Sequence, residues 1–308
     1  MNPLVSIIIP TYNRPSLLAA TLGSVLEQEY KHWECLVIDD GSSREVIDQA
    51  EDICLKDSRI KFFNRPNHCN QGASACRNYG FSKAQGELIQ FLDDDDLLDK
   101  RKLAEQVKLY TRNDHLTLFT GQWGGFTDDK DLKSRFKFSY HSYRNFKKGA
   151  GLLSTFGLYN EYFPVNVYLT PRPLMEKAGL WNEDLNNNDD AEFFTRVILN
   201  SKKIIFTSGS RVYYRYSSPG KLSDLNSEKK IQSVLKSWNL IEEHIRNSNS
   251  SQAKKYYKRA KDNLFRFFEK ERPDILSTRP EFFEARSDYS SRYYRSKNRL
   301  RKILKRLV

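Results

Sequence analysis

The N-terminal stretch Val5-Ser-Ile-Ile-Ile-Pro-Thr-Tyr-Asn-Arg-Pro15 begins as a run of β-branched residues and continues into a polar turn. Such a run favours a fully buried strand, and Pro10 is expected to end it because proline cannot donate to a strand ladder. Pro15 suits the first turn of a helix, and the apolar residues of 17–26 recur at helical spacing. The stretch therefore predicts a strand, a turn and a helix in succession.

The same alternation of short apolar runs and amphipathic stretches continues to residue 121. Further strands are predicted at 35–38, 59–63, 87–92 and 116–120, with further helices at 44–56, 72–84 and 99–111. Strands separated by helices indicate βαβ units. The fold class is therefore α/β, with a mostly parallel sheet flanked by helices.

Beyond residue 121 the pattern changes. We expect loops and short irregular elements over 122–165, then helices at 171–178 and 192–200 and strands at 203–206 and 211–215. From Ser227 onward the pattern is helical, with breaks at Pro273 and Pro280. The predicted organisation is a domain of residues 1–225, divided into 1–121 and 122–225, followed by a helical extension of residues 226–308.

Composition excludes several classes of protein. Of the 308 residues, 39% are hydrophobic and 13% aromatic, enough to fill a core. No apolar run approaches the ~20 residues of a membrane span, and we expect no secretory signal because no basic segment precedes an apolar one. The four cysteines show no CxxC spacing, so a reduced protein on the cytoplasmic side is predicted.

The positive charge is concentrated at the C-terminus. Residues 1–225 hold 29 basic and 29 acidic residues, whereas residues 226–308 hold 22 basic and 10 acidic ones, which accounts for the net charge of +12. A nucleic-acid-binding domain usually spreads its basic charge over the face that carries its motif. We therefore expect no nucleic acid partner.

The last residues predict a basic amphipathic helix. Its apolar positions recur at helical spacing, and basic residues surround them: Leu300, Ile303, Leu304 and Leu307, with Arg295, Arg299, Arg301, Lys302, Lys305 and Arg306. Such a helix suits an anionic membrane surface. The alternatives are a helix packed on the body of the protein and a contact between two copies.

Polar clusters follow three of the predicted strands. They are Pro10-Thr-Tyr-Asn-Arg14, Asp39-Asp-Gly-Ser42 and Asp93-Asp-Asp-Asp96. Ligands of open α/β sheets bind at the carboxyl ends of the strands. One such cluster alone would be an ordinary turn, but three at the same edge predict a binding site.

The four consecutive carboxylates of 93–96 indicate a divalent cation, Mg²⁺ or Mn²⁺, because their repulsion needs a counter-charge. Asp93 and Asp95 share a side if the chain is extended. The chain has neither a P-loop nor a GxGxxG motif, so a metal held by these carboxylates is the plausible way to bind a diphosphate. The alternative is a solvated acidic turn that caps the next helix.

Taken together, the motifs resemble those of glycosyltransferase family 2, whose members have the Rossmann-like GT-A fold. The resemblance covers about residues 3–225 and is carried, in order, by IIPTYNR14, VIDDGS42, N70-x-G-x4-RN78, AxGE87, FLDDDD96, GLWNE183, DDAEFFTR196 and YR215. It implies an inverting transfer of sugar from a nucleotide-sugar.

The resemblance also implies roles for individual residues. Thr11 and Tyr12 would hold the base and ribose together with Asp39, which favours uridine. Asp95 would bind the metal, and Asp190 would be the catalytic base, although Asp189 stands where relatives have Glu. The remaining residues implied to contact the nucleotide-sugar are Pro10, Arg14, Arg77, Asp93, Asp94 and Arg215, with Asp40 and Asp189 supporting the site from behind.

The acceptor is expected to be a glycan or a lipid-linked sugar in the assembly of a surface polysaccharide, at the cytoplasmic face of a membrane. Two or three aromatic residues should contact it, from the candidates Trp123, Phe126, Phe156, Tyr159, Tyr162 and Trp181. Two alternatives remain open: a catalytically inactive sugar-nucleotide-binding scaffold, and a nucleotidyltransferase, although Pro10–Arg14 lacks the glycine-rich loop that the latter needs.

Overall fold

The structure is a computed structural model that describes residues 2–110, 115–127, 139–216, 225 and 227–283. The strands formed by these residues are β1 Val5–Thr11, β2 Trp33–Asp39, β3 Ile60–Asn64, β4 Leu88–Phe91, β5 Leu97–Leu98, β6 Thr117–Phe126, β7 Thr170–Pro171 and β8 Lys203–Arg215. The helices are α1 Pro15–Leu26, α2 Arg44–Cys54, α3 Ala73–Lys83, α4 Lys102–Val107, α5 Gly149–Tyr159, α6 Arg172–Ala178, α7 Asp189–Asn200, α8 Glu228–Asn247, α9 Ser251–Glu271, α10 Pro273–Thr278 and α11 Pro280–Phe283.

The main sheet has the strand order β3-β2-β1-β4-β7. Strands β1 to β4 are parallel and only the short β7 is antiparallel, which confirms the predicted mostly parallel sheet. Every residue of β1 and β2 is buried, as expected for strands covered on both faces. Because the chain runs outward from β1 to β3 and then returns to the other side of β1, a switch point lies between β1 and β4.

Pro10 does not end β1, contrary to the sequence prediction. The strand continues through Thr11, and Pro10 lies opposite Ile38 of β2. The carbonyl of Ile8 faces β4, where it accepts from the amide of Leu92, whereas the carbonyl of Thr11 faces β2 and accepts from Asp40. Because successive residues of a strand face opposite neighbours, the nitrogen of Pro10 faces the β4 side. The last residue of β1 that pairs with β4 is Ile8, so the missing N–H of Pro10 removes no hydrogen bond between these strands.

A second sheet of three strands has the order β5-β8-β6. The segments 203–206 and 211–215, predicted as separate strands, form the single strand β8, and β6 runs to Phe126 rather than ending at residue 120. The register between β6 and β8 shifts at Gly121/Gln122, where a Cβ on Gly121 would lie 2.5 Å from the carbonyl oxygen of Ser210. The four-aspartate run joins this sheet to the main one, because it lies between β4 and β5.

The helix α5 lies in the segment expected to be irregular. Its sequence Gly149-Ala-Gly-Leu-Leu-Ser-Thr-Phe-Gly-Leu-Tyr159 contains three glycines, which lower helix propensity. Two of them are required by close packing: a Cβ on Gly149 would lie 1.7 Å from the carbonyl oxygen of Ile198 in α7, and one on Gly157 would lie 2.8 Å from Cα of Tyr256 in α9. Tertiary contacts therefore override local propensity here.

The extension is helical over its described part, as predicted, and it packs on the body, with α8 against α7 and α9 against α5. Pro273 and Pro280 each occupy the first residue of a new helix, α10 and α11. Among the described residues, no helix has both the length and the apolarity needed to cross a membrane. The predicted basic helix lies outside the described residues, and the domain boundary at 225/226 stays a prediction.

Candidate active site

The ends of β1 and β4 meet through a hydrogen bond across the switch point. The hydroxyl of Thr11 donates to Oδ2 of Asp94 over 2.8 Å, and both residues are buried. The Arg14 guanidinium lies 3.6 Å from Oδ1 of Asp94 and 3.5 Å from Oδ2 of Asp95. Tyr12, just beyond β1, is half exposed. The first polar cluster and the four-aspartate run therefore form one edge, as the sequence predicted.

Asp39 ends β2 beside this edge. Its Oδ2 accepts from the amides of Gly41 and Ser42, each over 2.8 Å, while its buried Oδ1 has no hydrogen-bond partner among the described residues. A buried acceptor of this kind suits an N–H group of a bound ligand, because an unpaired buried oxygen is costly. This fits the implied contact of Asp39 with a nucleotide base.

Asp40 points away from the edge and organises the segment that leads into α3. Its Oδ1 accepts from Nε of Arg65 over 2.6 Å and from the amide of Gly72 over 3.0 Å. Gly72 has φ +134°, a region that favours glycine, and it precedes the first residue of α3. The supporting position implied for Asp40 stays a prediction.

The four aspartates form a turn, and the chain is not extended there as the shared side of Asp93 and Asp95 would require. The amide of Asp96 donates to the carbonyl of Asp93 over 3.2 Å. Asp93 and Asp95 are nevertheless the more exposed pair, whereas Asp94 and Asp96 are buried. Each carboxylate has a different set of polar partners, and this dispersal reduces their mutual repulsion.

Asp96 anchors the turn to the rest of the molecule. Oδ2 accepts from the side-chain amide of Asn166 over 2.8 Å, and Oδ1 accepts from the backbone amide of Arg215 over 2.9 Å. Complete burial, with the negative charges of Asp95 and Asp93, raises the pKa of Asp96 well above its ordinary value. Asp96 therefore supports the turn from inside and does not cap α4, whose first residue is Lys102.

Arg77 joins the four-aspartate turn to the start of α7. Its Nη2 lies 2.7 Å from Oδ1 of Asp93, and its Nη1 lies 3.0 Å from Oδ2 of Asp189, which also accepts from the hydroxyl of Ser74. The guanidinium is buried and lies 4.4 Å from the ring centroid of Trp181. Asp93 and Asp189, which are far apart in the sequence, are thus held together by one cation.

Asp190 occupies the second residue of α7, whose N-cap is Asn188. Its Oδ1 accepts from the amide of Ala191 over 2.8 Å. Burial and the adjacent negative charge of Asp189 raise the pKa of Asp190 to about 6, although the bond from Ala191 and the charge of Arg77 act in the opposite direction. A carboxylate with a pKa near neutrality is suited to accept a proton.

Arg215 is buried at the end of β8. Its Nε donates to the carbonyl of Asp95 over 2.8 Å, and its guanidinium lies 4.4 Å from the ring centroid of Phe126. In these contacts Arg215 orders the backbone of the turn. Its implied contact with a diphosphate stays a prediction.

The donor chemistry of the turn fits a divalent metal. No group of three metal-ligating side chains converges anywhere in the part of the chain that the structure describes. A nucleotide-bound Mg²⁺ or Mn²⁺ needs only one or two carboxylates, since phosphate and water oxygens complete its coordination. Asp95, with Asp93 beside it, offers such oxygens at the partly exposed side of the turn.

Most of the candidate acceptor aromatics are core residues. Trp123, Phe126, Phe156 and Trp181 are buried, and the Trp181 ring stacks on Phe193 with a centroid distance of 4.0 Å. These four therefore do not form an open platform.

Tyr159 and Tyr162 are exposed. Tyr162 lies 5.1 Å from Trp123 between ring centroids. Partial burial raises the pKa of Tyr162, and the nearby Tyr216, Tyr140, Asp190 and Asp96 raise it further. Tyr162 thus lies beside the candidate site, and the half-exposed Tyr216 belongs to the same aromatic group through Tyr214 and Trp123.

Sequence reasoning missed several residues that shape this site. Asn166 lies far along the chain from Asp96, and Ser74 is one of many small residues in α3. The packing of Trp181 beneath Arg77 was missed as well, although GLWNE183 carries part of the family resemblance. No residue pattern in a single sequence pairs such distant side chains.

The family model described as glycosyl transferase family 2 matches residues 6–163, just over half of the chain. The chain therefore belongs to glycosyltransferase family 2.

Two curated relatives cover the N-terminal region. An uncharacterized glycosyltransferase of Haemophilus influenzae is 42% identical over 121 residues, which is 39% of this chain and 47% of the relative. The Escherichia coli protein WfgD, named UDP-Glc:alpha-D-GlcNAc-diphosphoundecaprenol beta-1,3-glucosyltransferase, is 40% identical over 110 residues, 36% of this chain and 42% of the relative. The chain spans less than half the length of these two relatives.

The fold has a solved counterpart. Staphylococcus aureus TarS residues 1–349, crystallised with UDP-GlcNAc, matches 89% of this chain and 75% of that one with a TM-score of 0.68. At 20% sequence identity the similarity shows the fold alone, and it confirms the expected GT-A architecture.

Proposed function

We propose that this protein is a metal-dependent inverting glycosyltransferase whose donor is a nucleoside-diphosphate sugar, with UDP the favoured nucleotide. The observation that carries the proposal is the Arg77 bridge, which holds Asp93 at the donor edge and Asp189 at the start of α7 on one guanidinium. The bridge brings the predicted diphosphate site and the predicted base into one place.

The donor end of the site suits a nucleotide. The buried Oδ1 of Asp39, which has no partner among the described residues, can accept from N3–H of uracil, and the half-exposed Tyr12 lies at the adjacent end of β1. Pro10, Thr11 and Arg14 complete this edge, with Asp93 and Asp94 opposite. Mg²⁺ or Mn²⁺, held by Asp95 with Asp93 beside it, would neutralise charge on the leaving diphosphate.

Asp190 acts as the general base. As the acceptor oxygen bonds to C1 of the sugar, its hydroxyl proton passes to the Asp190 carboxylate, and the bond from C1 to the diphosphate oxygen breaks with its electron pair leaving on the nucleoside diphosphate. One displacement of this kind inverts C1 and needs no covalent intermediate. The raised pKa of about 6 makes Asp190 a stronger base than an ordinary carboxylate while leaving it largely ionised at pH 7.

The acceptor is a glycan or a lipid-linked sugar of surface polysaccharide assembly. Tyr162 and Tyr216 offer half-exposed rings beside the catalytic carboxylates, and aromatic rings with polar tips suit sugar faces. The name of WfgD supports a lipid-linked acceptor. The protein would act at the cytoplasmic face of a membrane, peripherally bound through its basic C-terminus.

Replacing Asp190 by Asn tests the proposal. Transfer, or the slower release of nucleoside diphosphate from a nucleotide-sugar by water, should fall by roughly 10²- to 10⁴-fold because the base is lost. Donor binding, measured by thermal shift with UDP-sugars, GDP-sugars and dTDP-sugars with and without Mn²⁺, should be retained.

The matched control is Asp184→Asn, in the loop that precedes α7, where the exposed carboxylate pairs with Lys236 on the surface. This variant should keep wild-type turnover. If Asp190→Asn retains turnover, Asp190 is not the base. If the wild-type protein binds donor without any turnover, the scaffold alternative replaces the transferase.

A further inference from the structure

The helix α8 supports the backbone that leads into the Asp189-Asp190 pair. Ser233 of α8 accepts from the amides of Asn186 and Asn187, each over 3.0 Å, and its hydroxyl donates to the carbonyl of Asn187 over 3.0 Å. A serine hydroxyl has one donor and two acceptor positions. All three are used on this one loop.

Ser237, one helical turn further along α8, holds the next residue in the same way. Its hydroxyl donates to the carbonyl of Asn188 over 2.8 Å and accepts from the side-chain amide of Asn188 over 2.9 Å. Both serines are buried, and Ser237 has no exposed surface. They form two neighbouring contacts on the face of α8 that packs against α7.

Asn188 needs such support because of its backbone conformation. It has φ 59° and ψ 21°, the left-handed region, which is uncommon for residues other than glycine. Asn188 immediately precedes Asp189 and Asp190, so its dihedral angles set the direction in which α7 begins. Ser237 fixes both its carbonyl and its side chain.

The Asp189-Asp190 pair is thus held from two sides. Ser74 and Arg77 of α3 hold the carboxylate of Asp189, whereas the serines of α8 hold the preceding backbone. A further contact between α8 and α7 lies about one turn into α7, where Nε2 of His244 and Oε1 of the buried Glu192 are 2.7 Å apart. The helix α8 lies outside residues 6–163, the region that the family model matches.

We propose that Ser233 and Ser237 are positioning residues for the reaction, which fix residues 186–188 and thereby the orientation of the Asp190 carboxylate. This inference rests on the proposed function. It makes the C-terminal extension part of the catalytic apparatus, because the loop before the base lacks these contacts without α8. The chemistry is unchanged: the serines hold backbone atoms and touch neither donor nor acceptor.

The experiment uses the full chain and measures release of nucleoside diphosphate from the nucleotide-sugar that raises the melting temperature most. Ser233→Ala and Ser237→Ala should each lower kcat by about 10- to 100-fold, since small displacements of a catalytic group have effects of this size. Donor affinity, measured by thermal-shift titration, should stay within about twofold, because neither serine contacts the donor edge.

The pH profile separates positioning from a loss of folded protein. A loosened loop lets water reach Asp190, so the acid limb of kcat should move to lower pH in the alanine variants, whereas partial unfolding would scale the profile without moving it. Ser237→Thr and Ser233→Thr keep the hydroxyl and should retain most of the activity. Circular dichroism sets a temperature at which every variant is folded.

Ile245→Val is the matched control. It removes one buried methyl group from the same helix without touching the loop, at a cost of about 1 kcal/mol in unfolding free energy. It should keep wild-type kcat and pH profile. Wild-type kcat in both folded alanine variants would overturn the inference, as would equal losses of kcat and donor affinity. If the wild-type protein releases no nucleoside diphosphate from any donor, the proposed function fails instead.

Discussion

Three carboxyls of the candidate site, Asp94, Asp96 and Asp190, have raised pKa values, and desolvation is the largest cause for each. Burial raises the pKa of Asp94 to about 7 against the opposing bond from Thr11, with a further contribution from the charge of Asp95. Burial and Asp189 raise that of Asp190 to about 6. By contrast, the bonds from Arg59 lower the pKa of the surface residue Asp57 to about 2. The charged forms of these carboxyls are therefore disfavoured in the candidate site, whereas the charged form of Asp57 is favoured by its surface pair with Arg59.

The unfolding free energy of the metal-free protein should therefore fall as the pH rises from 5 to 8. Below about pH 3 these carboxyls are mostly protonated in both states. Between pH 4 and 7 the folded state binds more protons than the unfolded state, so stability is lost as the pH passes through the folded pKa values. The loss from Asp94 alone should be on the order of 3 kcal/mol, measured by urea denaturation in EDTA.

Asp94→Asn is the variant that isolates this effect. Its side-chain oxygen can still accept from Thr11, but it carries no charge, so the stability difference between pH 5 and pH 8 should shrink. An unchanged difference would show that the pH dependence arises from other groups.

At the scale of single residues, the sequence located candidate site residues where polar side chains directly follow a predicted strand. Thr11, Asp39 and Asp93 could be placed at one edge because parallel strands end together. The hydrogen-bond and ion-pair partners of those residues could not be predicted. That Arg77 joins Asp93 to Asp189, or that Ser233 caps a loop near residue 187, depends on tertiary packing that leaves no local pattern.

At the scale of the elements, the surroundings of a helical glycine show how closely its helix approaches the sheet. Gly80 of α3 faces β1 and β2, and a Cβ there would lie 2.5 Å from Cγ2 of Ile8 and 3.3 Å from Cγ1 of Ile38. For Gly23 of α1, no heavy atom of the described residues lies within 4 Å of a Cβ built in the same way. Both are helical, so they differ in packing alone.

Gly80→Ala should therefore destabilise the protein by about 1 to 3 kcal/mol, because the added methyl group displaces core side chains. Gly23→Ala, the matched control, should stabilise it by about 0.5 to 1 kcal/mol through helix propensity. Urea denaturation at one pH measures both. Equal effects of the same sign would contradict the packing argument.

Most elements of the first 110 residues could be predicted because their periodicity is strong: β1, β2 and α1 appear near the expected bounds, whereas the two-residue strand β5 was not predicted. The helix α5 could not. Its glycines indicate a loop when only the sequence is considered, and they are compatible with a helix because α7 and α9 pack directly onto two of them. A periodic pattern of apolar residues indicates that one face of a helix or strand is buried. Where the backbones of two helices touch, glycine stands in place of apolar residues, and the periodic pattern is lost.

At the scale of the whole molecule, charge separates the chain into two parts. The 29 basic and 29 acidic residues of 1–225 balance, and the excess lies entirely in residues 226–308. Within the extension, the described helices α8 and α9 pack against the body of the protein. The eight basic residues of 291–308 lie outside the described residues, and their attraction to an anionic surface stays a prediction from the sequence pattern.

The full chain should bind vesicles that contain phosphatidylglycerol and dissociate as NaCl is raised, because exposed charges are screened. Replacing Arg301, Lys302, Lys305 and Arg306 by Gln should weaken binding by ~4 kcal/mol, roughly a thousandfold, at ~1 kcal/mol for each basic residue near the surface. Replacing four exposed basic residues elsewhere in the extension, Lys229, Arg246, Lys254 and Lys255, removes the same charge and should have a much smaller effect. Equal losses of binding in the two variants would mean that net charge alone governs association. Binding that does not change with salt would mean that another surface is responsible. In either case the alternatives for the C-terminal residues, packing on the body or on a second copy, would be favoured.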